Sequence, residues 1–440
     1  MVNKMSVQDD LENILDGILS LNSMKNVKDI IWKYYLKKKS KPSQRDASKL
    51  KILILNSPCH GFGDIIFAMK FGTYLKDWYK AKVTIATSSV DGLLKLGWNK
   101  QDAVVLSTGK NREQCRRFKF LKIPKLSRHD LIFLAPVQSD LYPDLHDVKK
   151  LIPYSNRLNT FTLSEYNDSL EKNFDFNTGV GKNRDGMFFT NTAKIKGKVK
   201  GVKGKYTVAY ISDVDENESG YHCLSSFLEL IAVKYKNKKE MQIMIPEWIA
   251  RESEDFLSSC EKKLKKHMSS LKIIYKEEGI IKTEILFQTD KSLIRIVLKT
   301  DIFPLPYDDM IRLFKNSEAD VLVTGDQSIT DVLSCCYKKN IFYQTLNWKI
   351  GFAKNLSRYM PNKYLKSKKT ACGTLKAVDQ KSNYEKFIRE WDFQKLARPK
   401  MDAIVLFAVN RKKHQDLEDL ATLILSSKNL ATVKKRARDF

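Results

Sequence analysis

Short apolar runs followed by longer amphipathic segments recur along most of the chain. The first apolar run, KILILN, covers residues 51–56, and a polar loop and an amphipathic segment over residues 65–80 follow it. A continuous apolar run of this length is typical of a strand that is buried on both faces of a parallel sheet. Strands that alternate with helices predict an α/β domain with helices on both faces of the sheet.

The same alternation starts again at residue 206, where YTVAYIS (206–212) predicts a second buried strand. Further strands are predicted over residues 82–89, 102–107, 130–137, 242–246, 271–276, 319–326 and 340–344. Further helices are predicted over residues 224–235, 250–267, 308–317, 328–337, 383–396 and 414–427. We therefore expect an α/β protein with two Rossmann-like domains that face a cleft, and residues 51–56 and 206–212 as central strands of two separate sheets.

Five segments follow from this pattern. They are a helical N-terminal extension and linker (1–49), an N-terminal Rossmann-like domain (50–175), a basic linker or mobile loop rich in Gly and Lys (176–205), a C-terminal Rossmann-like domain (206–382), and C-terminal helices with a basic tail (383–440). The segment 176–205 is set apart by its glycines and lysines, a composition typical of an exposed linker.

The composition indicates a folded protein with a large excess of positive charge. Lys and Arg total 78 and Asp and Glu total 51 in 440 residues, which gives a formal net charge of +27. Such a charge attracts an anionic partner, such as nucleic acid, a phosphorylated sugar, an acidic polymer or a membrane surface. It is equally compatible with a lysine-rich solvated surface. The 42% of hydrophobic residues excludes disorder over most of the length.

Seven scattered cysteines without a CxxC pair argue against a metal cluster or a disulfide framework and fit a reducing compartment. Acidic residues precede the apolar ones near residue 10, which is the reverse of a secretory signal. No run reaches the roughly 18 apolar residues that a membrane span needs. We expect an intracellular, cytoplasmic protein without a transmembrane segment, a bound metal or another cofactor.

The loop after the first predicted strand carries the first candidate site: His60, Gly61, Gly63 and Asp64. Two glycines allow a tight turn and the close approach of a ligand. Ligands of open α/β sheets bind at the carboxyl ends of the strands, where a helix N-terminus favours anions. Asp64 is therefore a candidate general base, and His60 is a candidate to bind an anion or donate a hydrogen bond. The alternative is structural, with turn glycines and Asp64 as a helix cap.

A second loop of the same kind joins the predicted strand 319–326 to the next helix. Its N–H groups could cradle a diphosphate, with the Ser328 hydroxyl assisting, while Asp326 and Asp331 could accept from sugar hydroxyls. The alternative is ordinary helix capping by Asp326 or Ser328. The candidate substrate-binding residues of the two loops are Gly61, Gly63, Gly325, Asp326, Gln327, Ser328 and Asp331.

Both loops resemble those of GT-B glycosyltransferases, most closely the heptosyltransferases. Gly63-Asp64 followed by the apolar residues 65–68 is similar to the family's first-domain loop. Residues 323–326 are similar to the family's strand that runs into G-D-S/T-G, and residues 338–344 resemble the strand that follows it. The resemblance implies a GT-B fold in which the first domain binds the acceptor with Asp64 as catalytic base, and residues 325–328 of the second domain bind the nucleotide-sugar.

Two positions depart from the family pattern. Ser328 stands where the family has glycine, and Asp331 stands where it has histidine, which leaves the donor open. Gly325, Ser328 and Asp331 also fit the G-x-x-S/T-x-x-E pattern of other GT-B enzymes, in which the acid contacts the nucleotide ribose. GT-B enzymes generally need no bound metal, which agrees with the lack of a metal-binding motif in the sequence.

The resemblance implies the transfer of a sugar from a nucleotide-sugar donor to an acceptor hydroxyl. The competing hypothesis is a non-catalytic GT-B-like protein with a structural role or with nucleic acid as its partner. The lysines between residues 194 and 205 and the basic tail 434–440 would then supply phosphate contacts. A transferase that acts on an anionic polymer such as DNA would combine the two.

Overall fold

A computed structural model describes a large part of both predicted domains. The described residues are 48, 50–58, 62–108, 120–122, 129–137, 160–167, 174–179, 184–188, 190, 192–211, 219–246, 270–276, 282–289, 292–336, 339–344, 349–359, 365–370 and 373–378. The predicted N-terminal extension apart from Ser48, the helices predicted over 250–267, 383–396 and 414–427, and the basic tail lie outside these residues.

The first sheet has five parallel strands. They are β1 (Lys51–Asn56), β2 (Lys82–Thr87), β3 (Ala103–Val105), β6 (Leu131–Val137) and β7 (Thr160–Ser164), and a separate two-stranded ribbon pairs β4 (Ser107–Thr108) with β5 (Phe120–Lys122). The spatial order β3-β2-β1-β6-β7 places the strands as 3-2-1-4-5 of this sheet, which is the order of a Rossmann domain.

The second sheet repeats that order at its centre. Its strands are β8 (Tyr206–Tyr210), β9 (Glu240–Met244), β10 (Ser270–Lys276), β11 (Lys282–Thr289), β12 (Ser292–Lys299), β13 (Asp320–Thr324), β14 (Asn340–Gln344), β15 (Leu365–Thr370) and β16 (Gly373–Val378). The parallel strands β12-β9-β8-β13-β14 again read 3-2-1-4-5. Antiparallel pairs extend both edges, β10-β11 beside β12 and β16-β15 beside β14.

Helices follow the strands as the alternating pattern predicts. In the described ranges they are α1 (Gly63–Tyr79), α2 (Val90–Lys95), α3 (Ser219–Lys234), α4 (Tyr307–Asn316), α5 (Asp326–Cys335) and α6 (Ile350–Tyr359). The two that matter most for the site are α1, directly after β1, and α5, directly after β13. Within these ranges no helix is long and apolar enough to cross a membrane.

The predicted fold class, two Rossmann-like α/β domains, is confirmed by this topology. β1 and β8 are the middle strands of two separate sheets, and both are buried over most of their length. The sequence pattern missed β5, β7, β11, β12, β15 and β16 and helices α2 and α6. β12 lies between β11 and β9 with Ile296, Val297 and Leu298 buried, but Arg295 interrupts the apolar run that marks a central strand.

The segment 176–205 differs from the exposed linker that its composition predicts. Phe188 is fully buried, and its ring centroid lies 4.9 Å from that of Phe67 and 5.4 Å from that of Phe71, both on α1. Ile195 and Val199 are buried as well, whereas the lysines between residues 194 and 205 are exposed. The apolar side chains of this segment are therefore packed against the rest of the protein, and their burial stabilises that arrangement.

The two domains are in direct contact along α1 and α5. A single cluster of buried apolar side chains contains Phe67 and Phe71 of α1 together with Ile329 and Leu333 of α5. Within the described residues the facing surfaces are thus closed at this point. Polar groups lie at both places: at the starts of α1 and α5, beside the carboxyl ends of the two sheets, and where Lys70 of α1 meets Asp331 of α5.

Candidate active site

Asn56, the last residue of β1, ties the end of the first sheet to the start of α1. Its side-chain nitrogen donates to the backbone oxygens of Asp64 and Ala135, each at 3.0 Å, and its side-chain oxygen accepts from the Thr87 hydroxyl at 3.0 Å. Asn56 is fully buried, so these bonds fix the backbone from which Asp64 projects. The sequence signal was a polar residue at the end of an apolar run.

Asp64 is half-buried in the first turn of α1 and does not cap the helix, because the cap position is Phe62. A carboxylate in the first turn interacts favourably with the helix dipole. Gly63 has space around the position of a Cβ and an ordinary φ, so its backbone does not require glycine. His60 and Gly61 lie outside the described residues, and their proposed roles stay predictions.

The second loop has a backbone that does require glycine. Gly325 adopts φ 75° and ψ 155°, a region open essentially to glycine alone, and it occupies the cap position of α5. No side chain caps α5, so neither Asp326 nor Ser328 has the capping role that the structural alternative assigned to it. Asp326 and Gln327 are buried in the first turn of the helix, and Ser328 is half-buried.

An ion-pair cluster joins the two loops. Lys349, immediately before α6, donates through its Nζ to Glu165 Oε1 and to Asp326 Oδ2, the latter at 3.1 Å. Glu165 follows β7 in the first domain, so this contact crosses between the domains. All three side chains are at least four-fifths buried. Glu165 is absent from the sequence-based candidates, whereas Lys349, just past the predicted strand 340–344, is a sequence-based guess for the cation that neutralises a diphosphate.

The pKa of Glu165 is raised to about 7, chiefly by burial; Lys349 lowers it, and the charges of Asp326 and Asp64 raise it. Asp64 and Asp326, one from each predicted loop, therefore act on the same carboxyl group. Burial lowers the pKa of Lys349, but Asp326 and Glu165 outweigh burial and raise it above its ordinary value. The lysine stays charged in this cluster.

Two buried polar atoms of the second domain have no hydrogen-bond partner among the described residues. They are the Tyr343 hydroxyl on β14 and the Gln327 Oε1 atom on α5, both on side chains that are almost fully buried. Burial, and next the charge of Asp326, raises the pKa of Tyr343, so its hydroxyl lies within electrostatic reach of the cluster. Buried polar atoms without partners are rare, and here they leave hydrogen-bonding capacity beside Asp326.

A second cluster, around Lys70 of α1, is more completely bonded. Lys70 Nζ lies 2.6 Å from Asp331 Oδ1, and it donates to Thr330 Oγ1 at 2.9 Å and to the Gln327 backbone oxygen at 3.1 Å. Asp331 also accepts from the hydroxyls of Tyr307 and Thr190, each at 2.7 Å. Burial lowers the pKa of Lys70, against the effect of Asp331. The predicted contact of Asp331 with a ribose stays a prediction.

The thiols of Cys335 and Cys336 at the end of α5 are free, with their Sγ atoms 3.4 Å apart. In the described part of the chain, no group of three or more His, Cys, Asp or Glu side chains is arranged to hold a metal ion. The described polar groups at the interface are carboxylates, the two buried lysines Lys70 and Lys349, hydroxyls and backbone N–H groups.

No protein-family model and no curated protein sequence matches the chain. A solved structure from Listeria monocytogenes, described as a proposed UDP-N-acetylglucosamine 2-epimerase, is similar with 10% identity and a TM-score of 0.38, over 80% of this chain and 90% of that one. Such a likeness decides neither fold nor function. The fold assignment rests on the strand order, and the candidate site rests on its contacts.

Proposed function

We propose that the protein transfers a sugar from a nucleotide-sugar donor to an acceptor hydroxyl at the carboxyl ends of its two sheets. One observation carries the proposal: Lys349 Nζ bonds both to Asp326 in the second loop, at 3.1 Å, and to Glu165 at the carboxyl end of β7, so the ends of the two sheets meet in one polar cluster. Ligands of parallel α/β sheets bind outside the carboxyl ends of the strands. Because residues of both domains meet at this place, a ligand bound by one domain can react there with a ligand bound by the other.

The first turn of α5 is the proposed binding site for the donor diphosphate. Gly325 brings the backbone into the helix without a Cβ, and among the described residues no side-chain cap bonds to the first N–H groups. Backbone N–H groups at a helix N-terminus bind phosphate well. The same groups would stabilise the negative charge that develops on the leaving nucleotide. Ser328, half-buried in this turn, is proposed to add a hydroxyl donor.

Asp64 is the proposed general base. It lies at the carboxyl end of β1 on backbone that Asn56 fixes, and it is half-buried rather than enclosed, which leaves part of it open to solvent. Its carboxylate would accept the proton of the acceptor hydroxyl as that oxygen attacks the sugar. His60 and Gly61 are proposed to complete the same loop on the acceptor side.

Asp331 has a different place in this proposal. Its carboxylate already accepts from Lys70, Tyr307 and Thr190 at the interface of the domains. Contact with a ribose would require some of these bonds to break. We therefore assign Asp331 to positioning the two domains, and Asp326 and Gln327 to the donor.

The test is to measure the melting temperature of the full chain with a panel of nucleotide-sugars, using the matching free sugars as controls. A donor at 100 times its dissociation constant stabilises the folded state by about 2.7 kcal/mol. We expect one class of nucleotide-sugar to raise the melting temperature and the free sugars to leave it unchanged. If no nucleotide-sugar raises it, the proposal fails.

The exposed lysines between residues 194 and 205 favour a second candidate function, nucleic-acid binding without catalysis. They lie on a segment anchored by Ile195 and Val199, so they form a fixed basic surface in a protein of net charge +27. Binding to DNA that weakens steeply with salt, in a protein that no nucleotide-sugar stabilises, would favour this function. Stabilisation by a nucleotide-sugar without DNA binding would exclude it.

A further inference from the structure

We propose that Lys349 is the cation that binds the donor diphosphate, and that Glu165 occupies this cation until the donor displaces it. The inference rests on the proposed function and names the residue that neutralises the diphosphate. The contact between Lys349 and Glu165 is then self-inhibitory, because the Glu165 carboxylate occupies the position on Lys349 that a donor phosphate would take.

The bonding of the two buried lysines distinguishes Lys349 from Lys70. An ammonium group has three N–H donors. Lys70 directs its donors to three acceptors, Asp331, Thr330 and the Gln327 backbone. Within the described ranges Lys349 has two, and both are carboxylates. Lys70 therefore has no donor left for a ligand, whereas Lys349 can bind one by using its remaining donor or by exchanging a carboxylate.

Lys349 also lies next to the proposed phosphate site. Its Nζ is 3.1 Å from the carboxylate of Asp326, the first residue of α5, so a phosphate on the first turn of this helix is within reach of it. The buried Tyr343 hydroxyl, which has no hydrogen-bond partner among the described residues, lies within electrostatic range of Asp326, Lys349 and Glu165. A phosphate oxygen would give this hydroxyl an acceptor, in addition to the contacts with the lysine and the helix N–H groups.

Charge balance explains why Glu165 must leave. The cluster already has the carboxylates of Glu165 and Asp326 around one lysine, with Asp64 within electrostatic range. A diphosphate adds at least two negative charges to this buried place, which like-charge repulsion opposes. Glu165 is the more exposed of the two carboxylates, at 20% against 8% for Asp326, so it is the one that can leave the lysine by a movement of its side chain.

The experiment is calorimetric titration of the full chain with ADP, UDP, GDP and CDP, using wild type, Glu165→Gln, Lys349→Met and the double variant. Glu165→Gln keeps the size of the side chain and removes the competing charge, so we expect the dissociation constant to fall about tenfold. Lys349→Met removes a charged hydrogen bond, and we expect a rise of about 10- to 100-fold. When Lys349 is already replaced by Met, Glu165→Gln should not increase the affinity for nucleoside diphosphates, because the two residues act through one contact.

Lys76 and Asp102 provide matched controls, because they form a half-exposed ion pair at 2.6 Å near the far end of α1. Lys76→Met and Asp102→Asn make the same charge changes away from the site and should leave the dissociation constants within about twofold, as expected for distant, independent positions. Melting curves of all variants show that they fold. If Lys349→Met does not fold, Glu165→Gln alone still tests whether the carboxylate competes with the diphosphate, because unchanged or weaker binding by this variant would overturn the inference.

The outcomes separate the inference from the proposed function. Tighter binding by Glu165→Gln that disappears in the double variant supports the inference. Binding of nucleoside diphosphates by the wild type that Glu165→Gln leaves unchanged or weakens overturns the inference alone. An equal gain in both backgrounds also overturns it, because Glu165 would then act through general charge. If none of the four proteins binds a nucleoside diphosphate, both the inference and the proposed function fail.

Discussion

Two buried lysines, one from each domain, form ion pairs with carboxylates of the opposite domain. Lys70 of the first domain reaches Asp331 of the second, and Lys349 of the second domain reaches Glu165 of the first. At Lys70, all three N–H donors of the ammonium group have acceptors, and the Asp331 carboxylate accepts from two hydroxyls as well. Around Lys349, carboxylates are in excess and a buried tyrosine hydroxyl has no partner in the described part of the chain.

The difference teaches that burial and ion pairing do not by themselves mark a functional site. Structural ion pairs shift pKa values as much as functional ones do. What separates the two clusters is whether their hydrogen-bonding capacity is used up. A balanced cluster, whose donors and acceptors are all paired, fixes the geometry of the interface. An unbalanced cluster, with unpaired polar groups, can form additional hydrogen bonds when a ligand binds.

The largest effect is expected at the balanced cluster. Lys70→Met leaves the buried Asp331 carboxylate without its cation, so the free energy of unfolding should fall by about 3–5 kcal/mol. Urea denaturation measures this. Lys76→Met, in the half-exposed pair with Asp102, should cost at most about 1 kcal/mol. Equal losses in the two variants would show that the Lys70 cluster does not hold the interface.

A smaller, pH-dependent effect is expected at the unbalanced cluster. Glu165 has a pKa of about 7 in the folded protein, against 4.5 for an ordinary glutamate. The folded state thus binds this proton more tightly than the unfolded state, so the associated stability is fully present below about pH 4.5 and is lost as the pH rises through 7.

Glu165→Gln removes this titration. Between pH 5 and pH 8, the wild type should lose more stability than the variant, by at most about 3 kcal/mol. Denaturant unfolding at both pH values gives the difference, and the comparison with the variant cancels the other titrating groups. Parallel pH profiles for the two proteins would mean that Glu165 is charged in both states and that the cluster is less unbalanced than described.

The smallest of the stability effects concerns the glycines at the starts of the two helices that carry these clusters. Gly325→Ala forces a side chain into a glycine-only conformation, so it should cost about 1–3 kcal/mol. Gly63→Ala, at a position with an ordinary φ, should be neutral or stabilise by up to about 1 kcal/mol. Thermal melting of the two variants compares them, and equal losses would contradict the difference between the loops.

The sequence was most informative where a run of apolar residues had one structural explanation. The run at 51–56 predicted β1 as a buried strand, and the loop after it drew attention to Asp64. Glu165 was not found because it follows β7, in which Thr160, Thr162 and Ser164 are polar yet buried. Thr162, for example, bonds through its hydroxyl to Asp175 at 2.9 Å. Hydropathy alone does not predict a strand whose polar groups are satisfied in this way.

Pairing across the interface was also beyond the sequence. Lys349 and Glu165 are separated by 184 residues and belong to different sheets, so their contact depends on how the domains pack. Lys70 left a weak signal, a lysine between the buried Met69 and Phe71 of α1. A charged residue within an apolar stretch indicates a buried partner, but the sequence does not name Asp331 as that partner.

The central claim is that the unbalanced end of the interface carries out sugar transfer with Asp64 as the base. Asp64→Asn keeps the size of the side chain but cannot accept a proton, so turnover with the donor found by thermal shift should fall about 10²–10⁴-fold. The affinity for the nucleoside diphosphate should barely change, because Asp64 acts on the acceptor. Measured on this single variant, that pair of results is what we predict. Wild-type turnover in Asp64→Asn would contradict the claim.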